Sequence, residues 1–222
     1  MAQRFSLSGK WKYLPDPEGI GEEKGFPNPD LDDSAWKDME IPGHWYLAGL
    51  DFLGKVWFRK KFSLKAWESA RLCFQGVDYS ARVWLNGNYL GGHTGYFEPF
   101  SFEITPYLTP GRENILAIEV DGSPDPGFPF RKKFFRGGLG HWDMRPGGWT
   151  ERGQEKPSAG IWQPVFIESS GPVSILELIP WVMRDRDSWM VKVQAKVLNR
   201  NQKQIPAEFL FSIAPKNFEG AR

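Results

Sequence analysis

The residues that could do chemistry concentrate in an irregular stretch between Asp121 and Gly160, which shows no sustained periodicity. This stretch holds the carboxylates Asp143, Glu151 and Glu155. Two carboxyl groups on rigid elements can hydrolyse a glycosidic bond when they lie about 5 Å apart, or roughly 6.5–9.5 Å apart for the inverting reaction. The sequence by itself brings no two of these carboxylates together, so we do not predict that this chain is an autonomous glycosidase.

The irregular stretch is also rich in aromatic side chains. Its Phe and Trp residues are Phe128, Phe130, Phe134, Phe135, Trp142 and Trp149. Loops this long inside a compact domain are usually functional or disordered, and disordered segments are depleted in aromatic residues. We therefore expect an ordered functional loop. No strand pattern includes Trp142 or Trp149, so a ligand contact and packing against another domain both stay open for them.

The other reactive residue types predict no metal site and no nucleophile. His44, His93 and His141 have neither i,i+4 spacing nor an accompanying pattern of Cys or carboxylate residues, which argues against zinc. Cys73 lies in an alternating pattern and is expected to be a small residue, buried or half-buried, and not a nucleophile. Asp78 is interpreted as a turn-capping residue. The Gly-Gly pairs lack a strand-to-helix setting that could hold phosphate, so we expect no cofactor.

Charge and composition exclude several classes of protein. The chain carries 28 Lys+Arg against 27 Asp+Glu, a formal net charge of +1, so we expect neither nucleic acid nor a membrane surface as partner. No apolar run is long enough to span a bilayer. The single Cys excludes an internal disulfide framework. The first residues lack the apolar stretch of a signal peptide, so the expected location is cytoplasmic.

The elements that must position the irregular stretch are predicted to be β-strands. The chain has 24 Gly and 18 Pro, which short strands joined by turns tolerate better than helices do. Asn86-Gly87 between two β-rich runs predicts a type I′ hairpin. Alternating runs predict further strands at Val56–Leu64, Ala70–Val77, Phe97–Ile104, Asn114–Asp121 and Ile161–Ser169. We therefore predict an all-β fold, a sandwich or jelly roll.

A second β-pattern begins after Gly171. Strands are predicted at Val173–Met183, Trp189–Val197 and Ala207–Ala214. Three strands are too few for an immunoglobulin-like sandwich, which needs about seven. We therefore predict a first domain over residues 1–171, a partial immunoglobulin-like domain over 172–222, and a longer protein of which this chain is the front part.

Several runs carry a family resemblance. They are Gly9-Lys-Trp11, Trp36, Ile41-Pro-Gly-His-Trp45, Val56–Phe62, Arg71–Gly87, Leu90–Thr105, Asn114–Val120 and Gly160–Glu168. In this order they resemble the N-terminal sugar-binding domain of glycoside hydrolase family 2, and the resemblance spans roughly residues 5–170. It implies a jelly-roll domain of the galactose-binding type, then an immunoglobulin-like domain, then a TIM-barrel catalytic domain that this chain does not contain.

The resemblance also implies how function is divided. The family's two catalytic Glu residues lie on the barrel, so no catalytic residue is expected in this chain, which would be inactive alone. Its partners would be a β-linked carbohydrate and its own downstream barrel. Two alternatives stay open: a free-standing carbohydrate-binding module without hydrolytic activity, and a structural sandwich that mediates subunit contacts. The oligomeric state also stays open, a homo-oligomer included.

The motif His141-Trp142-Asp143 resembles a stretch that β-mannosidase-like members of this family extend into the barrel's active site. The resemblance implies that Trp142 stacks on a sugar ring and that Asp143 accepts hydrogen bonds from sugar hydroxyls. His141, Arg145 and Trp149 are further candidates for contact with the sugar or with another domain. The sequence after Asp143 is longer than the mannosidase pattern, so galactosidase-like and glucuronidase-like specificities stay open.

Overall fold

The computed structural model describes residues 3–65, 67, 69–125, 128–132, 159–169, 171, 173–186, 188–199, 203–204, 206, 208–210 and 212. The chain divides into two compact units, Met1–Ser170 and Gly171–Arg222. The strands of the first unit are β1 (Gln3–Ser6), β2 (Gly9–Asp16), β3 (Lys37–Ile41), β4 (Lys55–Ser63), β5 (Ala70–Phe74), β6 (Ser80–Leu85), β7 (Asn88–Thr94), β8 (Phe100–Glu103), β9 (Glu113–Asp121), β10 (Pro124–Asp125), β11 (Phe128–Lys132) and β12 (Val165–Ser169). A short 3-10 turn at Thr105–Tyr107 is the one helical element among these described residues.

The first unit is built on two antiparallel sheets. A six-stranded sheet has the order β3-β2-β4-β9-β6-β7, and a four-stranded sheet has the order β1-β12-β5-β8. Strands β10 and β11 form a separate hairpin. The four-stranded sheet joins β1 from the start of the unit to β12 from its end. The predicted all-β sandwich is therefore confirmed.

One hydrophobic core joins the inner faces of the two sheets. From the six-stranded sheet it takes Phe58 and Ile118, which are both fully buried, and from the four-stranded sheet it takes Leu72, Phe74 and Ile167. In β5, Leu72 and Phe74 point to this core, as their alternation predicts. The core lies between the sheets, as in other sandwiches.

A second cluster covers the outer face of the six-stranded sheet. Trp57, Trp84 and Ala117 come from three adjacent strands and pack with Trp36, which lies in the long connection between β2 and β3. Trp57 and Trp84 alternate with residues of the main core, so β4 and β6 are buried on both faces. This burial gives Trp57 and Trp84 a structural role in packing.

The hairpin of β6 and β7 turns at Asn86-Gly87, as predicted. Both residues have positive φ, 49° and 80°, as a type I′ turn requires. The Asn86 side chain donates a hydrogen bond to the carbonyl of Tyr107 and accepts one from the backbone N–H of Ile115, both at 2.8 Å. This turn is thus fixed to its neighbours by the Asn side chain.

The structure corrects several boundaries. Strands β1 to β3 were not predicted; they become strands through pairing with partners that are distant in sequence. The strand predicted from Phe97 begins only at Phe100, and the strand predicted from Ile161 begins only at Val165. In the second case, the backbone of 161–164 bonds to two loops instead of a strand neighbour, because the carbonyls of Ile161 and Pro164 accept from Gly43 and Gln75.

The second unit contains one long antiparallel hairpin, β13 (Val173–Asp185) with β14 (Ser188–Asn199). On β14, Val193, Ala195 and Val197 are half-buried, whereas Trp189, which alternation places on the same face, is 71% exposed. The strand predicted at Ala207–Ala214 is not seen at the residues described there, 208–210 and 212. Among the described residues, no strand pairs with these positions. A strand needs such a neighbour because its backbone N–H and C=O groups must be hydrogen-bonded. The immunoglobulin-like assignment stays a prediction.

In the part of the chain that the structure describes, no helix is long and apolar enough to cross a membrane.

Candidate functional site

The residues predicted to contact a ligand, His141, Trp142, Asp143, Arg145 and Trp149, lie outside the described residues. Their roles stay predictions. What the structure describes is the part of the sandwich that borders segment 133–158 on both sides. These border residues came from separate places in the sequence, and sequence reasoning did not group them.

The chain on the two sides of segment 133–158 meets beside Trp45. A Cβ atom on Gly122, which directly follows β9, would lie 2.6 Å from the Ala159 Cβ and 2.8 Å from the Trp45 indole. The hairpin of β10 and β11 then folds the chain back, so that Lys132 pairs with Pro124. On the other side, the Trp45 backbone N–H donates to the Ala159 carbonyl at 3.0 Å. Both borders of the segment are thereby anchored to the same end of the sandwich.

Gly160 is the tightest point of this anchor. It forms a two-bond antiparallel bridge with Asp78, in which each backbone N–H donates to the other's carbonyl, at 2.9 and 3.0 Å. Its φ is 147°, and a Cβ there would lie 2.6 Å from the Gly43 carbonyl oxygen. Gly43 in turn donates its N–H to the Ile161 carbonyl at 2.8 Å. The structure thus places the Asp78 backbone in a bridge, and the interpretation of its side chain as a turn cap stays a prediction.

Stacked rings follow the anchor. Trp162 lies nearly parallel to Tyr96 and to His44, with ring centroids 4.8 and 6.0 Å away and interplanar angles of 19° and 13°. Its indole N–H donates to the Tyr96 carbonyl at 3.1 Å. Phe97 meets Trp162 edge-on at 5.8 Å and is 56% exposed. Trp162 is therefore a packed structural residue, and Phe97 offers an apolar ring to a ligand.

Buried polar groups lie beside these rings. Asp78 is fully buried, and Tyr96 is 4% exposed. Burial, and then the negative charge of Asp78, raises the pKa of the Tyr96 phenol well above its ordinary value. Tyr96 therefore stays protonated at neutral pH. No described residue hydrogen-bonds its buried hydroxyl.

His93 adds a second buried polar atom. Its ring stacks on Phe100 with centroids 4.2 Å apart, and its Nε2 has no hydrogen-bond partner among the described residues. Burial lowers the pKa of His93, against the opposing effect of Glu98, so the neutral imidazole is favoured near pH 7. Tyr96 and His93 are therefore suited to hydrogen bonding. Neither side chain carries a carboxyl group, so they do not form the pair of carboxylates that glycoside hydrolysis requires.

The described residues contain no group of three or more His, Cys, Asp or Glu side chains that could hold a metal ion. Cys73 is buried as expected, and burial raises the pKa of its thiol, which disfavours the reactive thiolate.

Comparison with known proteins gives a family match. Residues 50–163 match the family model described as glycosyl hydrolase 2 galactose-binding domain-like. The chain is 32% identical over 149 residues to a β-galactosidase of Vibrio cholerae, which covers 54% of this chain and 14% of that protein. It is 27% identical over 188 residues to a β-glucuronidase of Formosa agariphila, which covers 77% of this chain and 17% of that protein. The chain thus spans less than a fifth of either relative.

Solved structures show the same fold. A Ruminococcus gnavus β-glucuronidase is similar with a TM-score of 0.68 and 20% identity, over 89% of this chain and 33% of that one. A β-glucuronidase of an uncultured Clostridium species is similar with a TM-score of 0.66 and 23% identity, over 88% of this chain and 34% of that one. The chain spans about a third of each of these proteins.

Proposed function

Since the chain belongs to the glycosyl hydrolase 2 family through its galactose-binding domain-like part, we propose that it is the non-catalytic N-terminal part of a β-glycosidase. In this proposal a catalytic TIM barrel, carried further along the polypeptide, cleaves a β-linked carbohydrate. The sandwich braces the barrel, and segment 133–158 reaches the sugar pocket. There Trp142 covers a face of the sugar ring, and Asp143 accepts hydrogen bonds from its hydroxyls.

The observation that carries this proposal is the double anchor of segment 133–158. Its two sides converge beside Trp45, and the bridge between Gly160 and Asp78 holds the returning chain. A loop binds a ligand more tightly when a rigid scaffold fixes its ends. The conformational entropy of the loop is then lost during folding, so less of it is lost when the ligand binds. The anchor therefore suits a segment that presents side chains to a ligand.

The lengths of the relatives support a non-catalytic role for this part of the protein. The chain matches 14% and 17% of the length of the two relatives described above, which leaves most of each protein for other functions. Those relatives are a β-galactosidase and a β-glucuronidase. β-Galactosides and β-glucuronides are therefore the first substrates to screen with the intact protein.

Replacing Asp143 with Ala tests the proposed role of the segment. In the intact protein we expect kcat/KM to fall by about a hundredfold, since the substrate loses a positioning contact. Thermal stability should change little, because loop substitutions away from a core usually cost within about 0.5 kcal/mol. Steady-state kinetics on aryl β-glycosides and the thermal midpoint are the two measurements.

The matched control is Asp30→Ala, which removes an exposed carboxylate from the connection between β2 and β3. It should leave both quantities unchanged. If Asp143→Ala lowers stability as much as activity, the residue is structural and its role in the pocket is refuted. If the 222-residue chain alone binds sugar and the intact protein hydrolyses none, the alternative of a carbohydrate-binding module replaces this proposal.

A further inference from the structure

The three stretches of chain that build the border of segment 133–158 lack charged residues. They are residues 42–50, 94–97 and 159–164, and none of them contains Lys, Arg, Asp or Glu, although these four types make up 25% of the chain. Asp51 and Glu98 directly follow two of the stretches and are exposed. The buried centre of a protein interface is depleted in charged residues, and its rim is polar. The composition of these stretches is therefore typical of a surface that another protein surface covers.

Hydrogen bonds join the three stretches at one end of the sandwich. The Gly43 N–H donates to the Ile161 carbonyl at 2.8 Å, which joins the first stretch to the third. The Trp162 indole N–H donates to the Tyr96 carbonyl at 3.1 Å, which joins the second stretch to the third. The three stretches therefore form one surface, which we call the uncharged border.

Large apolar side chains of the uncharged border remain exposed. Leu47 is 66% exposed, and Phe97 is 56% exposed. Leu47 lies on a turn in which the Ala48 N–H donates to the His44 carbonyl, so its backbone is fixed. The Phe97 ring lies edge-on to Trp162, with ring centroids 5.8 Å apart. Exposed apolar side chains on a fixed backbone suit contact with another apolar surface.

The position of the uncharged border indicates what covers it. Segment 133–158 leaves and rejoins the sandwich at this end, beside Trp45. Under the proposed function this segment reaches the sugar pocket of the catalytic barrel, so the barrel lies at the same end. The chain covers 33% and 34% of the two solved relatives described above, which leaves length in them for such a domain.

We propose that the uncharged border is the surface on which the catalytic barrel of the same polypeptide docks. This inference rests on the proposed function. Leu47 and Phe97 pack against apolar side chains of the barrel, and Asp51 and Glu98 stay at the rim of the contact. A large apolar contact holds two domains in one orientation, whereas smaller and more polar contacts allow relative motion. The border thereby keeps the ends of segment 133–158 fixed relative to the sugar pocket.

Photo-cross-linking of the intact protein tests this contact. p-Benzoylphenylalanine replaces Phe97 in one protein and Leu47 in another, and mass spectrometry identifies the cross-linked peptides. The control position is Tyr107, which is 37% exposed and whose carbonyl accepts from Asn86, at the opposite end of β6. We expect cross-links from positions 97 and 47 to peptides of the downstream barrel, and none of these from position 107.

Leu47→Lys supplies a second readout, because a cation placed in an apolar contact loses its solvation. In the intact protein kcat/KM should fall at least about tenfold, since a small displacement of the segment misplaces its contacts with the substrate. In the 222-residue chain the thermal midpoint should stay unchanged, because Leu47 is exposed there. Leu47→Met, which keeps the side chain apolar, should keep full activity. The matched control, Tyr107→Lys, should leave kcat/KM unchanged.

The cross-linked peptides separate the possible occupants of the border. Cross-links from positions 97 and 47 that lead only to a second copy of the chain, or only to segment 133–158, overturn the proposal. If the intact protein hydrolyses β-glycosides and neither position reaches the barrel, the docking surface is refuted and the proposed function stands. If both positions cross-link to the downstream domain in a protein that hydrolyses no glycoside, the surface is supported and the proposed function is refuted.

Discussion

At the residue scale, the phenol of Tyr96, which lies at the border of segment 133–158, is protonated and its hydroxyl is buried from water. Tyr96 stacks on Trp162, and no described residue hydrogen-bonds its hydroxyl. The nearby charge of Asp78 adds to burial in holding the proton on the phenol. The ring and the hydroxyl of Tyr96 thus have separable effects on stability.

Replacing Tyr96 with Phe should change the free energy of unfolding by less than about 1 kcal/mol, because it removes a hydroxyl and keeps the ring. Replacing Tyr96 with Ala should cost about 3–5 kcal/mol, since it empties a packed position. Urea unfolding of the two variants measures both. A loss above about 2 kcal/mol in Tyr96→Phe would contradict the expectation and reveal a hydrogen-bond partner outside the described residues.

The raised pKa of Tyr96 also predicts a dependence on pH. The folded protein holds the phenolic proton more tightly than the unfolded chain, in which the pKa is about 10. Its contribution to stability is complete below that value and is lost as pH rises toward the folded pKa. The stability of the wild type relative to Tyr96→Phe should therefore fall between about pH 9 and pH 11. A constant difference across that range would refute the shift.

At the scale of elements, the anchor depends on one backbone position. Gly160 combines a φ of 147° with a Cβ site 2.6 Å from the Gly43 carbonyl oxygen. An L side chain meets both strain and a backbone clash there. The bridge to Asp78 and the neighbouring bond from Gly43 to Ile161 should be disturbed together, since they lie on adjacent residues.

We expect Gly160→Ala to lower the free energy of unfolding by about 2–3 kcal/mol. The activity of the intact protein should fall by more than the loss of stability explains, because the chain would rejoin the sandwich after segment 133–158 at a different angle. Gly171→Ala is the matched control, since a Cβ there meets nothing within 4 Å. Chemical denaturation and kinetics measure both variants. If Gly160→Ala and Gly171→Ala change stability and activity equally, the close contact between position 160 and the Gly43 carbonyl has no special effect.

At the scale of the whole molecule, the main core belongs to one unit. Every residue of the large buried cluster, from Leu7 to Ile167, lies in Met1–Ser170. The hairpin of the second unit exposes large apolar side chains such as Trp189 and Val182, at 71% and 66%. Among the described residues, the main buried cluster therefore comes entirely from the first unit.

A chain ending at Ser170 should fold by itself and unfold cooperatively, because its core and both of its sheets are retained. We expect its thermal midpoint to lie within a few degrees, about 3 °C, of the same transition in the 222-residue chain. Calorimetry on both chains is the measurement. Loss of cooperative unfolding in the shorter chain would mean that residues after Ser170 complete its core.

Local patterns in the sequence were enough to predict the elements whose signals are local. The alternation within Ala70–Val77 predicted a strand there, and Asn86-Gly87 predicted the turn between β6 and β7. Both signals work because side-chain direction and backbone dihedrals are set within a few residues. Strand β2 was missed because Gly9 and Pro15 weaken its pattern, and its pairing with β4 is nonlocal.

The motifs by themselves also determined the family, which the match over residues 50–163 confirms. The ligand roles of Trp142 and Asp143 stay predictions from the resemblance. Only the tertiary structure brought Asp78, Tyr96 and Trp162 together beside Gly160, and only it joined the three uncharged stretches into one border. The physical reason is that burial, hydrogen-bond satisfaction and shifts in pKa depend on neighbours brought together by sheet pairing, and local sequence spacing does not encode those neighbours.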